Sequence, residues 1–281
     1  MTSIATGHSS AGMNYAFLLA LLLLPLQTLA QDVEGQRGCH GQDPCAIGER
    51  SYHVREPDGW DGESPLPVVM HFHGWKRQGT LIVRHQRISG ATRRRGVLLV
   101  APNGLGRTWD FWQAGTPDVD FAREVLEDVK KRYPVIEDQV FVSGYSWGSN
   151  MAWRFVCEDG DDIAALLAIS GTLDQREDCD TAPREVRQVY GLTDNVLRFP
   201  YGPGGDETYP VQLWRDKFGC GDGEETGPWQ QTERLTLTRT EWNDCAEGWV
   251  SLDLHPGGHF IPRGWIARQL DELLDLPLSY P

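Results

Sequence analysis

The sequence has no apolar run long enough to cross a bilayer comfortably. The longest, Tyr15 to Leu24, falls short of the roughly 20 residues a spanning helix requires. Internal repeats are absent, and after residue 31 so are low-complexity tracts and Pro/Ser-rich linkers, which leaves a single domain as the reading for this length. Positive charge is in deficit: 26 Lys and Arg stand against 40 Asp and Glu, for a net charge of −14. Residues 1–30 contain no charged residue of either sign, so the whole excess lies on residues 31–281. Such a surface repels phosphate backbones and excludes nucleic acid as a partner. Metal-binding patterns are also lacking. His71 and His73 have a ligand-like spacing but no third ligand nearby. The acidic runs Glu158 to Asp162 and Asp222 to Glu225 lack EF-hand spacing and read as solvated loops. No metal and no cofactor is expected.

What is present begins with an export signal. The run ending at Leu24 is followed by Pro25 and then Thr28-Leu29-Ala30, small residues that fit cleavage after Ala30. Residues 31–281 are then the folded domain, secreted or periplasmic and free of the membrane once the signal is removed. No Lys or Arg precedes the run, so a start at Met13 and an uncleaved anchor are the competing readings. Six cysteines behind an export signal point to disulfides in an oxidising compartment. About 15 pairings are possible. Local spacing favours Cys39–Cys45, Cys157–Cys179 and Cys220–Cys245, with free buried thiols as the alternative.

Strand-like and helical patterns alternate along the domain. Pro67 to Phe72, Gly96 to Ala101 and Gln139 to Ser143 are nearly continuous apolar runs, as expected of strands covered on both faces. Ile163 to Ile169, Val186 to Tyr190 and Trp249 to Leu254 add three more, and Ser51 to Arg55 reads as an early antiparallel strand. Phe121, Val125, Leu126 and Val129 recur at helical spacing. Asn150 to Cys157 is a second helical stretch, and Ile261 to Leu273 a third. The fold class is therefore α/β, with a mainly parallel central sheet and helices on both faces.

One motif carries chemistry. Gly144-Tyr145-Ser146-Trp147-Gly148 matches G-x-S-x-G, with a buried strand before it and a helix after it. That turn exposes a serine hydroxyl above the sheet and needs small residues two places either side. A serine nucleophile needs a base, and the base needs an orienting acid. His259, in the Gly-rich loop between the last strand and last helix, is the candidate base, with His255 as competitor. Asp194, in Gly191-Leu192-Thr193-Asp194-Asn195 after a strand, is the candidate acid, ahead of Asp174 and Asp206. The backbone amides of Trp147 and Trp75 are the candidate oxyanion donors. Trp109, Trp112 and Tyr145 are candidate pocket residues, although Trp109 to Trp112 reads equally well as core packing.

These residues together resemble secreted esterases of the carbohydrate esterase family 1 type, which are feruloyl esterases and the related polyhydroxybutyrate depolymerases. The likeness spans about residues 48–275. It rests on His73-Gly74-Trp75, Pro102-Asn103-Gly104 with Trp109, Val119-Asp120-Phe121, the Gly144 to Gly148 motif, Gly191 to Val196 and Gly257-Gly258-His259. The resemblance implies an α/β-hydrolase fold, a Ser146–His259–Asp194 triad and hydrolysis of feruloyl or acetyl esters of plant polysaccharide, with no cofactor. It also places cysteines at 157, 179, 220 and 245. Two positions depart from the group: Trp147 stands where a small polar residue is common, and Asn195 where Pro is usual. The alternatives are a short-chain polyhydroxyalkanoate depolymerase, a secreted peptidase of the same fold, and a non-catalytic ligand-binding protein. An ester substrate derived from polysaccharide or polyester is the expected partner, and the oligomeric state is left open.

Overall fold

The computed structural model describes residues 1–5, 7 and 38–278, so the expected export signal lies almost wholly outside the described residues. The chain divides into Met1–Gly38 and Cys39–Pro281, and all the helices and strands named belong to the second unit. In order these are β1 (Cys45–Ile47), β2 (Arg50–Arg55), β3 (Leu66–Phe72), α1 (Gly79–Ile82), α2 (Ser89–Arg93), β4 (Leu98–Pro102), α3 (Pro117–Arg132) and β5 (Val135–Tyr145). Next come α4 (Trp147–Asp159), β6 (Ala165–Ile169), β7 (Glu185–Gly191), α5 (Gln212–Phe218), β8 (Glu224–Thr232), β9 (Leu235–Trp242), β10 (Trp249–His255) and α6 (Trp265–Leu273).

The strands form one sheet in the order β1-β2-β4-β3-β5-β6-β7-β10-β9-β8. Its middle, from β4 to β10, is parallel throughout. Antiparallel strands flank it: β1 and β2 on one side, β9 and β8 on the other. The side-chain period of two explains why the central strands read as unbroken apolar runs. Val68, Met70, Phe72, Val100, Val142 and Leu166 pack with α3 and α4 on one face. Their sequence neighbours Val69, Leu99, Phe141 and Leu167 pack with α2 and α6 on the other. Both faces are dry because helices cover both.

Sequence periodicity did not disclose the β8–β9 hairpin. Glu224 and Glu225, expected in a solvated loop, instead open β8 and pair with Glu241 and Thr240 of β9. That edge strand alternates exposed and buried residues only in its second half, where Trp229 and Gln231 turn inward. The other acidic run is likewise not a plain loop: Glu158 and Asp159 end α4 and pair with Arg154 and Arg123. The cysteines are joined as Cys39–Cys45, Cys157–Cys179 and Cys220–Cys245. The second holds the end of α4 to the loop after β6, and the third ties the end of α5 to the loop after β9.

The last helix anchors the loop that carries His259. Asp253 in β10 is fully buried and accepts from Trp265 Nε1 at 2.7 Å, Trp229 Nε1 at 3.0 Å and both Nε and Nη2 of Arg239 at 2.9 Å. A carboxylate with four charge-matched or indole donors is fully satisfied away from water. It fixes the first residue of α6 to the sheet and so sets the exit of loop 256–264.

Candidate active site

Ser146 sits between β5 and α4 with φ 59° and ψ −128°, a backbone conformation that non-glycine residues rarely adopt. The surrounding structure enforces it. A methyl group on Gly144 would collide with the Gly148 carbonyl, and one on Gly148 would collide with the Phe72 carbonyl. Gly171 is also required, since a Cβ there would stand 2.5 Å from the Ser146 carbonyl. The Ser146 amide donates to Ile169 O at 3.0 Å, and the Ser146 carbonyl receives the amides of Ser149 and Asn150. The strain therefore holds the hydroxyl clear of the helix it begins.

His259 Nε2 lies 2.8 Å from Ser146 Oγ, and its Nδ1 lies 2.6 Å from Asp194 Oδ2. The Asp194 side chain is fully buried, and its Oδ1 accepts the amides of Val196 at 2.9 Å and Leu197 at 3.1 Å. An ionised Asp194 accepts from the ring at Nδ1, which leaves Nε2 with a free lone pair aimed at the serine. This arrangement can take a proton from the hydroxyl and return it to a leaving group. The competitors are engaged elsewhere. His255 Nδ1 accepts the Gly257 amide at 3.2 Å. Asp174 pairs with Arg176, whose hydrogen bonds hold its carboxyl down at about 2. Asp206 accepts the Thr208 amide and hydroxyl.

The loop after β3 approaches from the other side. A Cβ on Gly74 would sit 3.4 Å from Tyr145 O and 3.6 Å from Ser146 Cβ, so this backbone runs against the serine. Trp75 follows it. Trp147 is the first residue of α4, and the first amides of a helix have no intrahelical acceptor. The two indoles meet with centroids 5.5 Å apart. His73 fixes the loop: its Nδ1 contacts Gly74 O at 2.9 Å, and its Nε2 accepts the Gly104 amide at 3.1 Å. That pair of contacts needs a neutral ring with its proton on Nδ1. His71, on β3 two residues earlier, bonds Ser143 Oγ at 2.9 Å. Among the described residues no group of three or more His, Cys, Asp or Glu could hold a metal.

Burial holds His71, His73 and His255 neutral, pushing His71 down to about 3 and the other two each to about 4. Unfolding restores an ordinary pKa of about 6.5. Between about pH 4 and 6.5 the unfolded chain binds protons that the folded chain refuses, so stability rises with pH there and is complete above that window. Three protons give a slope of about 4 kcal/mol per pH unit near pH 5. Urea unfolding followed from pH 4.5 to 7 should show it; a flat profile would mean that these rings protonate in place.

The pocket residues separate into distinct roles. Trp109 is core, 1 % exposed, with its Nε1 donating to His73 O at 2.7 Å and its ring packed edge-on against Phe72. Trp112 is 67 % exposed. Tyr145 is half-buried beside the His259 ring, its hydroxyl donating to His259 O at 3.1 Å. Burial raises its pKa to about 12. A groove of about 480 Å³ is lined by Leu105, Thr108, Trp112, Pro117 and Trp147, the residue that follows the serine, with an edge of Trp109. Phe111 and Trp112 both pack on Trp147, at 5.7 Å each.

Two residues that no sequence motif singles out hold this wall. Arg154, buried in α4, donates to Phe111 O at 3.1 Å and pairs with Glu177 at 3.1 Å. Asp118 accepts the Asp110 amide at 2.6 Å and pairs with Arg50. The visible signal was an Arg on the apolar face of an otherwise buried helix.

No family model matches the chain. It is 27% identical over 256 residues to a protein of Aspergillus niger described as a probable feruloyl esterase C, covering 86% of this chain and 90% of that one. To the feruloyl esterase C of Emericella nidulans it is 26% identical over 227 residues, covering 76% and 77%. Among solved structures, the acetyl xylan esterase of Aspergillus awamori superposes with TM-score 0.60 at 14% identity, over 80% of this chain and 94% of that chain. A fluorophosphonate-binding serine hydrolase of Staphylococcus aureus gives TM-score 0.54 at 14% identity, over 80% and 92%.

Proposed function

We propose, from the premise that this chain is a carboxylic ester hydrolase of the α/β-hydrolase fold, that Ser146 is its nucleophile, His259 its base and Asp194 the acid that orients the base. The observation that carries the reading is the 2.8 Å contact from His259 Nε2 to Ser146 Oγ on a ring tied to Asp194. Ser146 Oγ attacks the ester carbonyl while His259 Nε2 takes its proton. The Trp147 and Trp75 amides receive the oxyanion. Collapse of the tetrahedral intermediate breaks the bond to the alcohol, which leaves with the proton from His259. Water, deprotonated by the same ring, then releases the acid from the acyl-enzyme and restores Ser146.

The substrate we propose is a feruloyl or acetyl ester of plant polysaccharide, hydrolysed outside the cytoplasm after removal of residues 1–30. The names of the relatives support the ester class. The groove walled by Trp112 and Trp147 supports an aromatic acyl group, and three disulfides fit an oxidising compartment. The deciding experiment compares kcat/KM on methyl ferulate, acetylated xylan and short hydroxyalkanoate oligomers. An aryl group stacked on the indoles should favour methyl ferulate over the hydroxyalkanoates by about tenfold or more. Preference for the hydroxyalkanoates would replace this reading with a polyester one.

A further inference from the structure

Residues 64–109 contain eight Lys and Arg and no Asp or Glu, in a chain whose net charge is −14. Arg93 and Arg95 of this segment are paired, with Asp58 and Asp271. Arg94 caps α2, the helix that packs with α6. The others, Lys76, Arg77, Arg84, Arg87 and Arg107, are exposed and carry no ion pair among the described residues.

Four of these reach the mouth of the site. Lys76 follows Trp75 directly, with its Nζ 4.2 Å over that indole. The Arg77 amide closes the turn on Gly74 O at 3.1 Å. The positive charge of Arg77 works against the burial that raises the pKa of the Tyr145 hydroxyl, the group bonded to His259 O. Arg87 Nη1 donates to the carbonyl of Ile261, two residues beyond His259. Arg107 and Lys76 are clasped together: the Lys76 amide donates to Arg107 O at 2.8 Å, and Arg107 Nη2 donates to Lys76 O at 2.7 Å. Both have left-handed backbones, with φ 57° and φ 65°. Two basic residues are thus tied through their backbones, each in a conformation that ordinary residues avoid and that clusters at ligand clamps. The acidic residues near the mouth lie along the aromatic groove instead: Asp118 is paired with Arg50, and Asp110 is exposed.

We infer that Lys76, Arg77, Arg87 and Arg107 form a carboxylate-binding rim, and that the saccharide bearing the scissile ester carries a uronate that docks there. The inference rests on the esterase reading for the nature of the chain it binds. The donor set matches that ligand. Trp75, 52 % exposed with Lys76 Nζ over its indole, sets a cation beside an apolar surface. Guanidinium forks beside it match the geometry of a carboxylate, which a neutral saccharide would not use. On a strongly acidic protein, a local cationic rim also concentrates an anionic polymer at the one place where it can react.

The test is calorimetric binding of an oligogalacturonide and of its carboxyl-reduced, neutral counterpart to the Ser146→Ala protein. At about 0.02 M salt the anionic probe should bind about tenfold tighter, and the difference should vanish near 0.5 M salt, where the screening length is only a few Å. Arg77→Glu should abolish the preference, while the exposed Arg94→Glu should keep it. Equal binding of the two probes, or loss of preference in both variants alike, would overturn the rim. Wild-type protein assayed on p-nitrophenyl acetate separates the two readings. Selective binding without hydrolysis would leave the rim standing and remove the esterase; hydrolysis without selective binding would do the reverse.

Discussion

Ser146→Ala is expected to lower kcat on a p-nitrophenyl ester by about 10⁴ or more while leaving the fold intact. The two halves of that statement come from separate features. Among the described residues the hydroxyl bonds only to Nε2 of His259, whose side chain is 10 % exposed, so its loss strands no fully buried group. The elbow is imposed by Gly144, Gly148 and Gly171, none of which is altered, so the backbone has no reason to relax. Stability should therefore change by less than about 1 kcal/mol. Catalysis loses the atom that forms the acyl bond, and only the oxyanion amides remain, which alone leave a small residual rate over water. Thermal unfolding and turnover measured on the same preparation make the contrast. A fluorophosphonate probe should label the peptide containing Ser146 in the wild-type chain and nothing in the variant. Near-native turnover with normal folding, or a label elsewhere, would remove Ser146 as the nucleophile.

Much of this site could be read before any coordinates because its constraints are local. The glycines at 144 and 148 bracket Ser146 within one turn, and steric exclusion there depends on sequence neighbours and on one adjacent strand. The central strands were legible for the same kind of reason: burial on both faces leaves apolar runs such as Leu98 to Ala101 with no polar interruption. A place in a Gly-rich loop favours His259 over His255 as the candidate base. In the structure His255 turns inward onto Phe260 at 4.6 Å, whereas His259 reaches Asp194 and Ser146.

What the sequence did not disclose depends on partners far along the chain. The strand β8 is half-exposed, interrupted by Gly227 and Pro228, and gains its inward Trp229 only by bonding to Asp253 from β10. Trp109 could not be assigned to wall or core, because what decides it is a carbonyl at His73, 36 residues away. Arg154 is legible as an anomaly on a buried helix, but its function in holding the Phe111 carbonyl exists only once α4 packs under loop 109–116. The cationic rim is similar. Eight basic residues without an acidic one form a plain compositional fact. Only the clasp of Lys76 with Arg107 and the reach of Arg87 to Ile261 tie them to the loops that carry Trp75 and His259.

Asp194→Asn should cost kcat about 10⁴, nearly as much as loss of the serine, without a comparable loss of stability. The Asn side chain has one acceptor oxygen, and two amides already compete for it, those of Val196 and Leu197 on Oδ1. With the oxygen kept there, the NH₂ group faces His259 Nδ1 in place of Oδ2. A donor meeting a donor is unfavourable, so the ring shifts its proton to Nε2 and presents a lone pair at Nδ1. Nε2 then donates toward Ser146 Oγ and cannot accept its proton. Ring position and loop are preserved, yet the base is switched off. Asp194→Ala separates tautomer from scaffold: it also strands the Val196 and Leu197 amides, and should cost about 1–3 kcal/mol of stability besides the activity. KM should stay close to wild type in the Asn variant, since neither residue touches the aromatic groove. Proton NMR supplies the direct readout, because the downfield Nδ1–H resonance of His259, hydrogen-bonded to a carboxylate, should disappear in the Asn variant. An Asn variant that keeps that resonance, or turns over within about tenfold of wild type, would show that some other group orients His259, and the acid would have to be sought again.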